Sequence, residues 1–210
     1  MTANASEFDE FLNFFLPTPQ VAQDTELLRK IGFLPGLKEM LTVRQVHALE
    51  HATVWILSGL PDRRSSPQTD WEDNSGLGGL STEQGFYLYG QANTVDVRRA
   101  VNQALSRITH GEWNLAVHPR CGTNLSVGML LTAAIAFGFH LVLPRTPIEQ
   151  LLGFGVAATT AAQLTPELGR IVQQYITTAV PFNLRVREVS SVQDSWGRPA
   201  HFVRVEWIDV

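Results

Sequence analysis

One cysteine, Cys121, stands in 210 residues. A single thiol excludes an internal disulfide and fits a reducing compartment or a metal ligand. Formal charge is also scarce. Asp, Glu, Lys and Arg make up 17% of the chain, against about a quarter in ordinary soluble domains. No basic run is present and the net charge is −4, so no nucleic-acid partner is expected. The first ten residues are polar and acidic, and no cleavable signal peptide is expected. What remains is a chain of 44% hydrophobic residues. That suffices for one good core, or for a small domain with a membrane segment.

The clearest absence of charge lies in 125–143, where the one titratable group is His140. Nineteen such residues are long enough to span a bilayer core of about 30 Å. Pro144-Arg145-Thr146-Pro147 then reads as a tight turn, and 148–164 is apolar again apart from Glu149 and Gln150, ending at Thr165-Pro166. Gly128, Ala133, Gly138, Gly153, Ala157 and Ala161 are small, which lets helices pack closely in a membrane. A helical membrane hairpin is expected. Arg107, Arg120 and Arg170 flank it within about 20 residues, and the turn carries only Arg145, so the positive-inside rule puts both termini in the cytoplasm.

Polar chemistry concentrates in two short strings. The first is His47-Ala48-Leu49-Glu50-His51. In a helix the two histidines share a face one turn apart, with Glu50 beside them. Thr42 and Gln45 read as a capping box, and Gly59 with Pro61 as a stop, so one largely buried helix is expected over 43–58. Two imidazoles and a carboxylate in a buried helix must be satisfied by a ligand or by hydrogen bonds. Two imidazoles at this spacing can hold one metal ion, and the carboxylate can take a proton from water. The second string, His118-Pro119-Arg120-Cys121-Gly122-Thr123, offers further ligands directly before the apolar segment.

The rest of the chain supplies a scaffold. Phe8, Phe11, Leu12 and Phe15 follow helical spacing and suit either an interfacial helix on a membrane or one packed on the core. A short helix is expected over 24–31, and a loop, with a lid as one option, over 61–79. A strand is expected over 85–90, a helix over 95–108 capped by Thr94, and a second strand over 113–117, which together make a β-α-β unit leading into His118. Alternation over 184–192 and 201–208 around Ser195-Trp196-Gly197 predicts a β-hairpin, with His201 on its surface.

H-x-x-E-H-x-T at His47, Glu50, His51 and Thr53, followed by H-P-R-C-G-T from His118 to Thr123, resembles the YqhQ-like bacterial membrane proteins, a family of predicted metal-dependent enzymes. In that family too the second motif runs into apolar segments. The resemblance covers roughly 43–164 and implies a metal site and a membrane. The loop over 61–80 and the C-terminal hairpin have no counterpart in it. The chain also resembles a small group from photosynthetic prokaryotes. Peptidases with the inverted motif are a weaker comparison, because they take a downstream Glu as third ligand, where this chain offers His118 and Cys121.

The expected fold class is α+β: a small cytoplasmic α/β domain over 1–124, a membrane helical hairpin over 125–164, and a C-terminal helix with a β-hairpin over 165–210. The first functional expectation is a membrane-associated, peptidase-like hydrolase using zinc or another divalent metal. His47, His51 and His118 would be ligands, Glu50 the base, and Arg120 an oxyanion stabiliser or a partner for Glu50 or a lipid headgroup. Cys121 would close the site as a fourth ligand or stand aside. A Cys–His nucleophilic pair is a further use of the same residue types. The second expectation is a non-enzymatic membrane protein whose structural metal site supports membrane-complex assembly. Membrane lipid, and membrane proteins as substrates or partners, fit both.

Overall fold

A four-stranded antiparallel sheet in the order β1-β2-β4-β3 forms one layer of the domain. Its strands are β1 (Gly78–Thr82), β2 (Gly85–Tyr89), β3 (Leu184–Gln193) and β4 (Pro199–Trp207). Among the described residues five α-helices accompany it: α1 (Gln23–Ile31), α2 (Leu37–Leu57), α3 (Thr94–Thr109), α4 (Gly122–Val142) and α5 (Pro147–Val172). The computed structural model describes residues 19–59, 76–144 and 146–210. The expected helix around Phe8 to Phe15 and most of the 61–79 loop lie outside the described residues.

Period-two alternation sets the sheet's two faces. Phe86 and Leu88 of β2, Val189 of β3, and Val203 and Val205 of β4 point into the core. There they meet Val46 and Leu49 of α2 and Val97, Val101 and Ala104 of α3. The opposite face carries Tyr87, whose ring lies 4.7 Å from that of Phe202. The β3–β4 turn is locked by Asp194. Its Oδ1 accepts the backbone N–H of Trp196 and Arg198, and its Oδ2 accepts Arg198 Nε and the Tyr89 hydroxyl. The C-terminal hairpin therefore forms where alternation predicted it.

Other expectations need correction. α2 begins at Leu37, after Gly36 at φ 81°, and not at a Thr42 cap. Thr42 is mid-helix, where its hydroxyl donates to Lys38 O. Gln45 is buried, donating to Asp24 and Asn183. A capping-box pattern inside a helix is silent once a left-handed glycine upstream supplies the break. The cap of α3 is Asn93, whose side chain accepts the N–H of Val95 and Asp96; Thr94 is the first helical residue. Trp113–Ala116 is a 3-10 turn, not a strand. Four residues of apolar alternation fit either, and the Arg107–Glu112 pair folds the chain back before a strand can extend. Among the described residues no β-α-β unit forms, and β2 pairs with β1, whose Gly78 and Gly79 fall within the expected 61–79 loop.

α4 and α5 pack on each other as an antiparallel hairpin. Small residues set their spacing: a side chain at Gly128 would press on Thr165, and one at Gly153 on Phe139 and Leu143. α5 continues through Pro166 to Val172, past the expected end. Contacts beyond the proline hold it: Gly169 abuts Asn124, and Gln173, fully buried, donates to Asn124 Oδ1 and accepts the His118 N–H. α5 then closes in a π-turn, Gln173–Thr177. α4 is long and apolar enough to cross a membrane and is unburied along its length.

Candidate metal centre

The face of α2 that carries His47, His51 and Trp55 at i, i+4 and i+8 grips the chain on either side of the hairpin. His47 Nδ1 donates to Thr177 O at 3.1 Å. His51 Nδ1 donates to Ala116 O at 2.6 Å. Trp55 Nε1 donates to Val117 O at 2.9 Å. A carbonyl only accepts, so each histidine carries a proton on Nδ1 and turns its Nε2 to the other side. An Nδ1–H to carbonyl bond is the usual outer support of a metal-ligating histidine.

Cys121 faces those Nε2 atoms. The H-P-R-C turn closes with the Cys121 N–H on His118 O, and Cys121 becomes the N-cap of α4, its sulfur accepting the Thr123 N–H. The thiol lies 3.3 Å from His47 Nε2. Burial pushes this thiol up, but contact with His51 and the Thr123 hydrogen bonds outweigh it and hold the group below the ordinary thiol value. The ligand atoms of His47, His51 and Cys121 all lie within 4.8 Å of one another. Two imidazole nitrogens and a thiol sulfur are a donor set that suits zinc, and the spacing fits one ion.

His118 lines the cleft that holds these three residues. It is buried beside the cluster, its ring 5.6 Å from that of His51 and 4.7 Å from that of Trp55. Its Nδ1 accepts the Arg120 N–H. The converging trio contains Cys121 and not His118. The Cys–His contact is likewise between Cys121 and His47, 74 positions apart in sequence, and not within H-P-R-C. Arg120 reaches across to donate to Leu77 O, joining the turn to the start of β1.

Glu50 occupies the same cleft, of about 470 Å³, together with His47, His51, Ser81, Arg120 and Cys121. It is buried, at 7% exposure, and Oε2 accepts the Ser81 hydroxyl at 2.5 Å. Burial holds its carboxyl above the ordinary range, against the opposing pull of Ser81 and His47. Gly79 matters here, because a Cβ at that position would overlap the Glu50 carboxylate. Sequence reasoning missed Ser81, Gly79, Gln173 and Thr177. Each acts through its place in the fold, and none belongs to a recognisable pattern.

The chain belongs to the family described as "Domain of unknown function (DUF6391)", whose model matches residues 42–189. It is 50% identical over 193 residues to an uncharacterized protein of Picosynechococcus sp., covering 91% of this chain and 93% of that protein. No solved structure matches the chain.

Proposed function

We propose that this member of the DUF6391 family is a membrane-anchored, zinc-dependent hydrolase of peptidase-like type, working at the membrane–cytosol boundary. The observation that carries this reading is the convergence of His47, His51 and Cys121 on a cleft shared with a buried Glu50. Three protein ligands leave one of zinc's four tetrahedral positions open, the mark of a catalytic rather than a structural site. A Cys–His dyad would need one histidine, whereas here two Nε2 atoms are turned inward. The resemblance of the two motifs to the YqhQ-like proteins points the same way.

When bound, zinc would polarise the substrate carbonyl and lower the pKa of water toward about 7. Glu50 accepts a proton from that water and returns it to the leaving group. Burial pushes its carboxyl upward, the direction that suits a group which must both take and return a proton. Ser81 and the space at Gly79 hold the carboxylate in place, and Arg120 at the rim stabilises developing negative charge on the substrate.

The membrane part rests on α4 and α5. At 1.5 Å per residue α4 is about 31 Å long, close to the bilayer core. Leu130, Phe137, Leu141, Ile148, Leu151 and Leu152 are each more than 60% exposed. At about 1.5–3 kcal/mol for a fully transferred side chain, apolar surroundings for these six are worth at most about 9–18 kcal/mol. The tip is polar, with His140 and Gln150 hydrogen-bonded at 2.9 Å, as a segment emerging into water requires. Since Cys121 caps α4 and Thr177 follows α5, the site sits at the hairpin's root, on the cytoplasmic side under the positive-inside rule.

The same fastening favours a second reading, in which the metal locks hairpin to domain for membrane-complex assembly. Glu50→Gln separates the two. At equal metal content the hydrolase reading expects a loss of about 100-fold or more, the scale of a general base, scored by complementation of a deletion strain. Full complementation would leave only the assembly protein.

A further inference from the structure

We propose that the substrate is an extended polypeptide that binds as an added strand along the open edge of β1; this rests on the hydrolase reading. β1 ends the sheet, pairing with β2 on one side, and among the described residues no strand lies on its other side. Antiparallel pairing uses alternate residues of a strand, so the intervening N–H and C=O groups point away from the sheet. Such an edge is a template for another backbone.

The two edges of this sheet are treated differently. β3, at the far edge, carries Arg185, Arg187 and Glu188 and a register shift between Val186 and Glu188. Charges and bulges are the usual protection against unwanted strand pairing. β1 reads Gly-Gly-Leu-Ser-Thr, with no charge and no proline, and pairs with β2 in unbroken register. Gly78 has no internal reason to be glycine: a Cβ there meets nothing within 4 Å. A strand glycine facing open space marks a place where another backbone approaches closely. Leu80 is 42% exposed, an isolated apolar contact for a bound side chain.

The unprotected edge is the one that holds the site. β1 supplies Ser81 to Glu50, and its residues line the cleft with His47 and Cys121. A chain paired to β1 would lie about 4.8 Å from it and run past the cluster. Its backbone groups are read by β1, and alternate side chains point into the cleft. A lipid tail offers no such groups. The reaction is amide hydrolysis: the water oxygen bonds to the carbonyl carbon, the C–N bond breaks, and Glu50 carries a water proton to the departing amine. The products are a carboxylic acid and an amine, with no change in oxidation state.

The test uses full-length, zinc-loaded protein in detergent. A pool of unstructured peptides about fourteen residues long is read by mass spectrometry, alongside 4-nitrophenyl acetate, an ester with no backbone to pair. The expected result is peptide cleavage that falls at least about 100-fold in Glu50→Gln. N-methylation walked along the best peptide should cut cleavage about tenfold or more at every second position over four to six residues, and leave the intervening positions nearly unchanged. Ester hydrolysis without peptide cleavage would overturn this inference and leave the hydrolase standing. Peptide cleavage without the period-two pattern would overturn the strand mode of binding. Cleavage of neither substrate at full zinc would overturn both readings.

Discussion

Gly79→Ala moves the base without removing it. The new Cβ would lie within 2.6 Å of Oε1, Cδ and Cγ of Glu50, far inside van der Waals contact. These are the outer atoms of a flexible side chain, so the carboxylate swings aside while the backbone stays. The swing breaks the 2.5 Å bond from Ser81, a hydrogen bond to a charged acceptor worth about 1.5–3 kcal/mol. Overpacking adds a cost of similar order, partly relieved by the movement. A net loss of about 2–5 kcal/mol lowers Tm by about 4–20 °C in a chain of this size. The three atoms nearest the new Cβ all belong to Glu50 and none to a ligand, so metal content should hold at one equivalent. Activity should fall about 100-fold, as far as loss of a positioned base allows. The assay is hydrolysis by Gly79→Ala, Glu50→Gln and the double variant, each with metal content and Tm. If Gly79 acts through Glu50, the double variant is no slower than Glu50→Gln, since the second change has nothing left to displace. Multiplicative losses, or full activity in Gly79→Ala, would refute the reasoning.

Two further outcomes follow from the fold. The apolar hairpin should make the full-length chain fractionate with membranes and resist carbonate extraction; monodisperse protein recovered without detergent would turn α4 and α5 into a soluble interface. Asp194→Asn should lower Tm at pH 7. Burial raises the Asp194 carboxyl, but hydrogen bonds from Arg198, Tyr89 and Trp196 prevail and bring it to about 2, below the unfolded value near 4. Its stabilisation is therefore complete above about pH 4 and lost as pH falls toward 2, so the Tm gap should close over that range. A gap that persists at pH 2 would contradict the assignment.

The legible parts of the sequence were those with local periodicity or punctuation. The His47–His51 helix, the apolar hairpin and the C-terminal strands were readable from spacing alone, because each pattern repeats over many residues. Boundaries failed where two devices look alike, as with Thr42–Gln45 against Gly36, or Thr94 against Asn93. The strand expected at 113–117 failed because four alternating residues also suit a 3-10 turn. The cluster was legible as residue types and not as a ligand set. His118 and Cys121 are three apart, and only the turn between them decides which residue of α2 each one meets. That turn points Cys121 at His47 and sets His118 against Trp55. Ser81 and Gly79 were invisible, since their roles depend on β1 crossing beside Glu50.

The most direct test of the central claim is the coordination shell of the zinc-loaded protein, purified without a metal-affinity tag and measured by X-ray absorption. The account predicts one zinc per chain with two imidazole nitrogens at about 2.0–2.1 Å, one sulfur at about 2.3 Å and one further oxygen. Cys121→Ser should remove the sulfur, and His118→Ala should leave the shell unchanged. A shell closed by three imidazoles and the sulfur, a shell without sulfur, or a chain that takes up no zinc would contradict it.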